Sequence, residues 1–253
     1  MNDLIKKINN WVKTNEYKDS VLKEQEELKK LEEFNNIFNE NKISNMSIDE
    51  YVIGKGEKTF CYYVEQKLKF FGNISGRTNA YQKFVIYWDD LKNKYVFGGK
   101  NHKNRKGFGS NINEIFTNIK EQLLEIIKFS KENDYKSISL SPFNKQFKNK
   151  LAFLYNHKNQ LPIYSEDHLD KILKLLEINF DSLDTVESKR KALWDFYTKN
   201  SINKILSSNM FIAFIYSNSG FLNKLKNNIK LIDFNVDVLE ESNNKKIQKK
   251  SFY

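Results

Sequence analysis

The sequence predicts an α+β protein in which helices flank a small mixed or antiparallel β-sheet or partial barrel and a helical domain follows. Apolar residues recur at helical spacing in both halves of the chain. Two short aromatic and β-branched runs lie between them, as in paired strands. Two prolines and nine glycines favour helices over turn-rich sheet structure, and a hydrophobic content of 40% indicates a folded core.

The N-terminal third reads as a series of helices. Leu4, Ile8 and Trp11 share one helical face, which predicts a helix over residues 2–15. Asp19 or Ser20 can cap a second, longer helix. The remaining features predicted here are a capping box at Ser47 and Glu50, a helix over 58–71 and a turn over 72–76.

The middle of the chain predicts a β-hairpin. The runs YQKFVIYW (81–88) and KYVFGG (94–99) are joined by DDLKN, a typical turn sequence. Other elements are predicted from periodicity: a helix beginning at Ser110 or Asn113, strands over 137–141 and 160–164, a strand or helix over 150–156, a helix after Ser165, and helices over 186–199 and 202–217.

These elements divide the chain into four predicted parts. The composition becomes helical after residue 164, which marks the main boundary. The parts are an N-terminal helical segment (1–44), an α+β domain (45–164), a helical domain (165–240) and a mobile basic tail (241–253).

The charge of the chain favours an anionic partner. A formal net charge of +10 and a pI near 9.3 are typical of proteins that bind nucleic acid. The 33 asparagines and the preference for Lys over Arg are also typical of a low-GC genome, so part of this charge can reflect composition alone.

The cysteine count and the hydropathy indicate a cytoplasmic setting. Cys61 is the only cysteine, which excludes an intrachain disulfide and a cysteine zinc cluster. The sequence contains no signal-peptide pattern and no apolar run near the ~18 residues of a membrane span. We therefore expect a reducing, bacterial-type cytoplasm and no membrane association.

Several catalytic and cofactor motifs fail on spacing. GKGEKT (54–59) lacks the GxxxxGK[ST] pattern of a P-loop. His102, His157 and His168 are too far apart for a metal motif. The ExK letters at 65–67 fall within a predicted helix, whereas a PD-(D/E)xK nuclease needs them at a sheet edge. The sequence thus predicts no cofactor, no metal and no catalytic residue, and leaves enzymatic activity uncertain.

One nuclease alternative remains open. VIY (85–87) precedes YVFG (95–98) on the predicted hairpin, with Arg105 downstream, in the order of a GIY-YIG endonuclease. Val85 replaces the motif glycine, and only seven residues separate Tyr87 from Tyr95. A small metal-dependent DNA endonuclease is therefore the weaker hypothesis.

The segment from Leu91 to Asn113 supports nucleic-acid binding. It contains six Lys or Arg residues and no acid, so it would neutralise several phosphates in a salt-dependent way. The predicted phosphate contacts are Arg77, Lys83, Lys100, Lys103, Arg105 and Lys106. The neighbouring aromatics can stack on a base or belong to the core, and the candidates for a base pocket are Tyr87, Trp88, Tyr95 and Phe97.

Four stretches together resemble the N-terminal region of McrB-type restriction proteins, which carry a DNA-recognition domain ahead of an AAA-family GTPase motor. They are TFCYYVEQKLKFFGNISG (59–76), QKFVIYW (82–88), NINEIFTNIKEQLLEII (111–127) and FKNKLAFLYNHKNQLPIY (147–164). The resemblance covers roughly residues 45–165. It implies recognition of double-stranded DNA at a modified base or a specific site.

The chain departs from that family in having no GTPase or nuclease motif. The resemblance therefore implies that hydrolysis and cleavage come from other domains or subunits, namely a McrB-type motor and a McrC-type nuclease. We expect a DNA-binding specificity module of a bacterial restriction or antiviral defence system. A third hypothesis is a helical interaction protein that does not bind DNA and whose charge is compositional.

Overall fold

The computed structural model describes residues 2–75, 80–97 and 107–217. Within these ranges the chain is mainly helical and forms one two-stranded antiparallel sheet. The predicted α+β class, with helices around a small sheet and a helical part after it, is therefore confirmed.

The first part of the chain is helical, as the periodicity predicts. Its elements are α1 (Asn2–Trp11), α2 (Asn15–Ile37), α3 (Glu40–Asn45), α4 (Ile48–Tyr51), α5 (Phe60–Tyr62), a π-helical turn (Tyr63–Lys67), a 3₁₀ turn (Lys69–Phe71) and α6 (Ala80–Phe84). The capping box before α4 is confirmed, because Ser47 and Glu50 each bond the other's backbone N–H. Helix α2 begins earlier than predicted, since Thr14 caps it by accepting from the N–H of Tyr17.

The predicted hairpin is present, but its first strand is shorter than expected. Strand β1 (Ile86–Asp89) pairs antiparallel with β2 (Lys94–Phe97), and Trp88 lies opposite Tyr95. Residues 81–84 belong to α6 instead of the strand. The helix ends at Phe84. The N–H of the next residue, Val85, still bonds the carbonyl of Tyr81, and its φ of 68° turns the chain into the strand.

The second half contains six further helices among the described residues. They are α7 (Ile112–Lys131), α8 (Tyr135–Leu140), α9 (Lys145–Tyr155), α10 (Glu166–Leu175), α11 (Val186–Lys199) and α12 (Ser208–Tyr216). Helix α7 is capped by Asn111, whose side chain accepts from the N–H of Glu114 at 3.1 Å. The segment 150–156, which the sequence left open between strand and helix, lies mostly within α9.

The predicted helix over 58–71 is divided into α5, the π-helical turn and the 3₁₀ turn, and three further predicted elements differ from the structure. The alternating sequence of 137–141 forms most of helix α8, because Asp134 accepts from the N–H of Ser137 at 3.0 Å and starts a helix. Residues 160–164 do not form a strand. The predicted helix over 202–217 is divided into a 3₁₀ turn (Ile202–Lys204) and α12. The predicted tail, 241–253, lies outside the described residues.

Two hydrophobic clusters hold these elements together. The main cluster contains buried residues of α2, of segment 43–74, of the hairpin and of helices α7 to α9. The second cluster joins α1 to helices α10, α11 and α12. Helix α1 thus packs with the C-terminal helices, whereas Leu31 and Phe34 of α2 belong to the main cluster. Leu161 and Ile163 belong to the second cluster and Tyr164 to the main cluster, so the segment after α9 contributes to both.

A buried arginine bridges the two clusters. Arg190 of α11 is 1% exposed and donates to Asn149 Oδ1 at 2.6 Å, to Gln160 Oε1 at 3.1 Å and to the carbonyl of Leu161 at 2.9 Å. Asn149 in turn donates to the carboxylate of Glu187 at 2.6 Å. Because a buried charge must be hydrogen-bonded to be tolerated, this network fixes α11 against α9.

The segment 71–75 is held by three buried side chains. Tyr164 Oη donates to the carbonyl of Phe71 at 2.7 Å, Lys150 Nζ to that of Gly72 at 2.7 Å, and Lys83 Nζ to that of Ile74 at 3.3 Å. Phe71 ends the 3₁₀ turn, and Gly72 and Ile74 belong to neither a helix nor a strand, so the side chains supply partners that secondary structure does not.

Replacing Gly72 with alanine should strongly destabilise this segment. Gly72 has a φ of 95°, and a Cβ there would overlap the ring of Tyr164. Gly72→Ala should therefore cost about 1–3 kcal/mol from backbone strain and a further ~1–3 kcal/mol from overpacking.

Gly56→Ala is the matched control, because Gly56 has a φ of 104° but its Cβ would meet no atom within 4 Å. Urea unfolding of both variants measures the difference. Equal losses of unfolding free energy would mean that Tyr164 does not press on Gly72.

Candidate nucleic-acid interface

In the sequence, the basic segment (residues 98–106) lies between two aromatic residues, Phe97 and Phe108, that pack into the main cluster. Arg77, Lys100, Lys103, Arg105 and Lys106, which the sequence predicts as phosphate contacts, lie outside the described residues. Before the segment, Phe97 packs against the main cluster. After it, Phe108 is fully buried 4.8 Å from the Phe143 ring, and its carbonyl accepts from Asn118 Nδ2 at 3.0 Å. Both ends of the segment are therefore attached to the same core.

Lys83, the sixth predicted phosphate contact, requires a correction. It is 3% exposed, and its ammonium forms an ion pair with Glu65, which is 6% exposed. It also donates to the carbonyl of Ile74. A buried and paired ammonium cannot reach a phosphate at the surface, so Lys83 is a structural residue. Its partner is 18 positions away in sequence, so no local pattern reveals the pair.

The four aromatic candidates for a base pocket do not lie on one face. Trp88, Tyr95 and Phe97 pack against the main cluster. Tyr87 pairs with Val96 in the register, so both point to the opposite face of the hairpin. The structure thus separates Tyr87 from the other three.

Trp88 and Tyr95 form a small cluster with Lys55 and Asp49, two residues outside the predicted site. Their rings meet at 71° with centroids 5.0 Å apart. Lys55 Nζ lies 3.4 Å from the centroid of the Trp88 ring and 3.4 Å from Asp49 Oδ1. Tyr95 donates its hydroxyl proton to Asp49.

This cluster has clear electrostatic consequences. Burial raises the pKa of Tyr95 to about 12, and the hydrogen bond to Asp49 acts in the same direction. The Lys55 ammonium covers one face of the Trp88 ring as a cation–π contact. A base could stack on that face only after Lys55 had moved away.

The tip of the hairpin carries both charges and one exposed apolar side chain. Asp89 accepts from Lys92 Nζ at 2.9 Å and from the Lys92 N–H at 3.1 Å. The hydrogen bond from Lys92 lowers the pKa of Asp89. Leu91 is 99% exposed. The sequence DDLKN predicts only a turn here, although an apolar residue among turn-forming ones sets Leu91 apart.

The resemblance to GIY-YIG nucleases gains one local feature. Val85, at the position of the motif glycine, has a φ of 68°, in the left-handed region that glycine favours. Tyr87 and Tyr95, however, lie on opposite faces of the hairpin. Arg105, the third residue of that hypothesis, lies outside the described residues.

The described residues contain neither a cluster of metal ligands nor a helix that could span a membrane. No group of three or more His, Cys, Asp or Glu side chains in residues 2–75, 80–97 and 107–217 is arranged to hold a metal ion. Within the same ranges, no helix has both the length and the apolar character that crossing a membrane requires.

Comparison of the chain with protein-family models, with curated proteins and with solved structures found no match.

Removing Lys83 should destabilise the fold because it leaves Glu65 buried without a partner. Loss of one member of a buried ion pair typically costs about 3–5 kcal/mol. We expect Lys83→Met to lower the free energy of unfolding by that amount in urea titrations.

The double variant Lys83→Met/Glu65→Leu is the control, because it removes both charges and should recover much of the loss. If Lys83→Met kept its stability but bound DNA more weakly, Lys83 would return to the set of phosphate contacts.

Proposed function

We propose that this chain is a DNA-binding specificity module of a bacterial restriction or defence system, which recognises double-stranded DNA at a modified base or a specific site. The observation that carries the proposal is the segment 98–106, which has four cations and no acid. Its neighbours Phe97 and Phe108 both pack into the main cluster. A cationic segment tethered at both ends loses less freedom on binding than a free tail, which favours affinity.

The basic residues have a positional role in this proposal. Lys100, Lys103, Arg105 and Lys106, together with Arg77, contact backbone phosphates. Such contacts fix the register and orientation of a protein on the duplex but do not read sequence. The choice of target must come from other groups, and one candidate is Tyr87, which is half-buried on the face of the hairpin opposite Trp88 and Tyr95.

Other subunits or domains carry out the chemistry in this proposal. The resemblance to McrB-type proteins supports a GTPase motor of that type and a McrC-type nuclease as partners. In this proposal the partners hydrolyse GTP and cleave DNA, and the present chain supplies the affinity for DNA.

Loss of the cations should weaken the dependence of binding on salt. Each phosphate contact contributes about one unit to the slope of log K against log salt. The triple variant Lys103→Ala/Arg105→Ala/Lys106→Ala should therefore bind duplex DNA more weakly and reduce the magnitude of that slope by about three. Fluorescence anisotropy over a salt series measures both quantities.

A second triple variant, Lys13→Ala/Lys29→Ala/Lys174→Ala, removes the same charge from exposed positions in the turn between α1 and α2, on α2 and on α10. It should leave the slope nearly unchanged. Equal effects of the two triple variants would mean that net charge alone attracts DNA. Absence of binding by the wild type at physiological salt would instead favour the helical interaction protein.

The glycine-like backbone of Val85 favours the nuclease hypothesis, which a plasmid-cleavage assay tests directly. The proposed function predicts that the pure chain does not cut plasmid DNA in magnesium or manganese. Cleavage that Tyr87→Phe or Arg105→Ala abolishes would replace the binding module with a GIY-YIG-like endonuclease. Trp88→Phe serves as a control for general damage to the hairpin.

A further inference from the structure

Leu91 is an unusual residue for the tip of a hairpin. The closing pair is Asp89 and Lys94, and four residues connect the strands. Turn positions favour Gly, Asn, Asp and Ser, because these residues adopt tight backbone conformations or bond to them. Leucine provides neither advantage. At 99% exposure, Leu91 contributes nothing to the core and carries the cost of an apolar side chain in water.

Hydrogen bonds hold the two strands that carry Leu91 in place. At the tip, Asp89 accepts from both the N–H and the ammonium of Lys92. At the pair next to the closing pair, the N–H of Trp88 bonds the carbonyl of Ile53 at 3.0 Å, and Tyr95 bonds Asp49. The strands are therefore fixed on two sides, and Leu91 projects from a supported element instead of a free loop.

The charges at the tip balance each other. Asp89 and Asp90 are matched by Lys92 and Lys94, and the salt bridge between Asp89 and Lys92 neutralises one pair locally. The tip has no net attraction for phosphates. The excess of positive charge begins after the hairpin, with the cations of residues 98–106.

Leu91 at the tip is apolar, and the cations of residues 98–106 follow the hairpin in the sequence. Proteins that deform DNA combine these two features. Proteins insert apolar side chains such as leucine between base steps, partly unstack them and kink the duplex, while nearby cations hold the backbone. Two-stranded ribbons enter the major or the minor groove of DNA, and the apolar wedges enter from the minor groove. A base stack is an apolar environment that a leucine with balanced charges around it can enter, whereas a phosphate surface is not.

We propose that Leu91 is an apolar wedge that enters the base stack of bound duplex DNA. The inference rests on the proposed DNA binding and assigns the hairpin tip a separate role within it. The wedge unstacks one base step and bends the duplex, and pyrimidine–purine steps such as TA are the preferred targets because they unstack most easily.

The test measures DNA deformation separately from DNA binding. An end-labelled duplex of about 30 base pairs with several TA steps reports bending by energy transfer. Permanganate reactivity of its thymines reports unstacking. We expect the wild type to shorten the end-to-end distance and to raise thymine reactivity at a TA step. Leu91→Ala should lose both signals and keep the salt slope of the wild type.

Two further variants complete the test. Leu91→Met keeps an apolar side chain of similar size and should retain the unstacking. Leu22→Ala removes another exposed leucine, 61% accessible, from helix α2 and should change nothing.

The outcomes separate this inference from the proposed function. If the wild type binds DNA in a salt-dependent way without bending or unstacking it, the wedge is overturned and the binding module stands. The same conclusion follows if Leu91→Ala deforms DNA as the wild type does. If the wild type does not bind DNA, both proposals are overturned.

Discussion

Lys83, Lys150 and Tyr164 each donate a hydrogen bond to a carbonyl of the segment 71–75, which contributes Phe71 and Ile74 to the main cluster. The donors come from α6, from α9 and from the chain after α9, so one irregular segment joins three distant parts of the sequence. Burial lowers the pKa of Lys150 well below its usual value, and the nearby Lys69 and Lys83 act in the same direction. The Lys150 amine carries an N–H in either protonation state, so it donates to the Gly72 carbonyl and satisfies this buried backbone group.

A second polar network decides how the C-terminal helices meet this core. Arg190 has three oxygen acceptors outside its own helix, and its guanidinium also lies 5.4 Å from the Tyr164 ring centroid. Tyr164 is the residue that holds the Phe71 carbonyl. The two networks are thus joined through one tyrosine. Polar contacts are directional, so they specify a single arrangement of helices that apolar packing alone would leave less defined.

The sequence predicts the parts of the fold that depend on neighbours in the chain. The capping box at Ser47, the face of α7 and the hairpin all follow from residues within a few positions of each other. The predictions that were wrong concern contacts between residues far apart in the sequence, or a helix cap that acts against the apolar alternation of a strand. The alternation of 137–141 indicates a strand, yet the cap at Asp134 and the burial of Tyr135 and Ile138 one turn apart make it a helix. At the candidate site, the cationic segment can be read from the sequence, whereas the contact of Lys55 with Trp88 joins residues 33 positions apart and cannot.

The structure also changes how the net charge of the chain bears on function. The formal charge of +10 treats all cations alike, but several lysines serve the interior. Lys83 and Lys148 are buried against the carboxylates of Glu65 and Glu187, and Lys189 bonds Asp170 at 2.7 Å. Charges used in this way do not attract a polyanion. The segment 98–106 differs because it contains no acid of its own, so its charge is concentrated over a few consecutive residues. Counterion release depends on such local density, and so the DNA-binding proposal depends on this segment far more than on the composition of the whole chain.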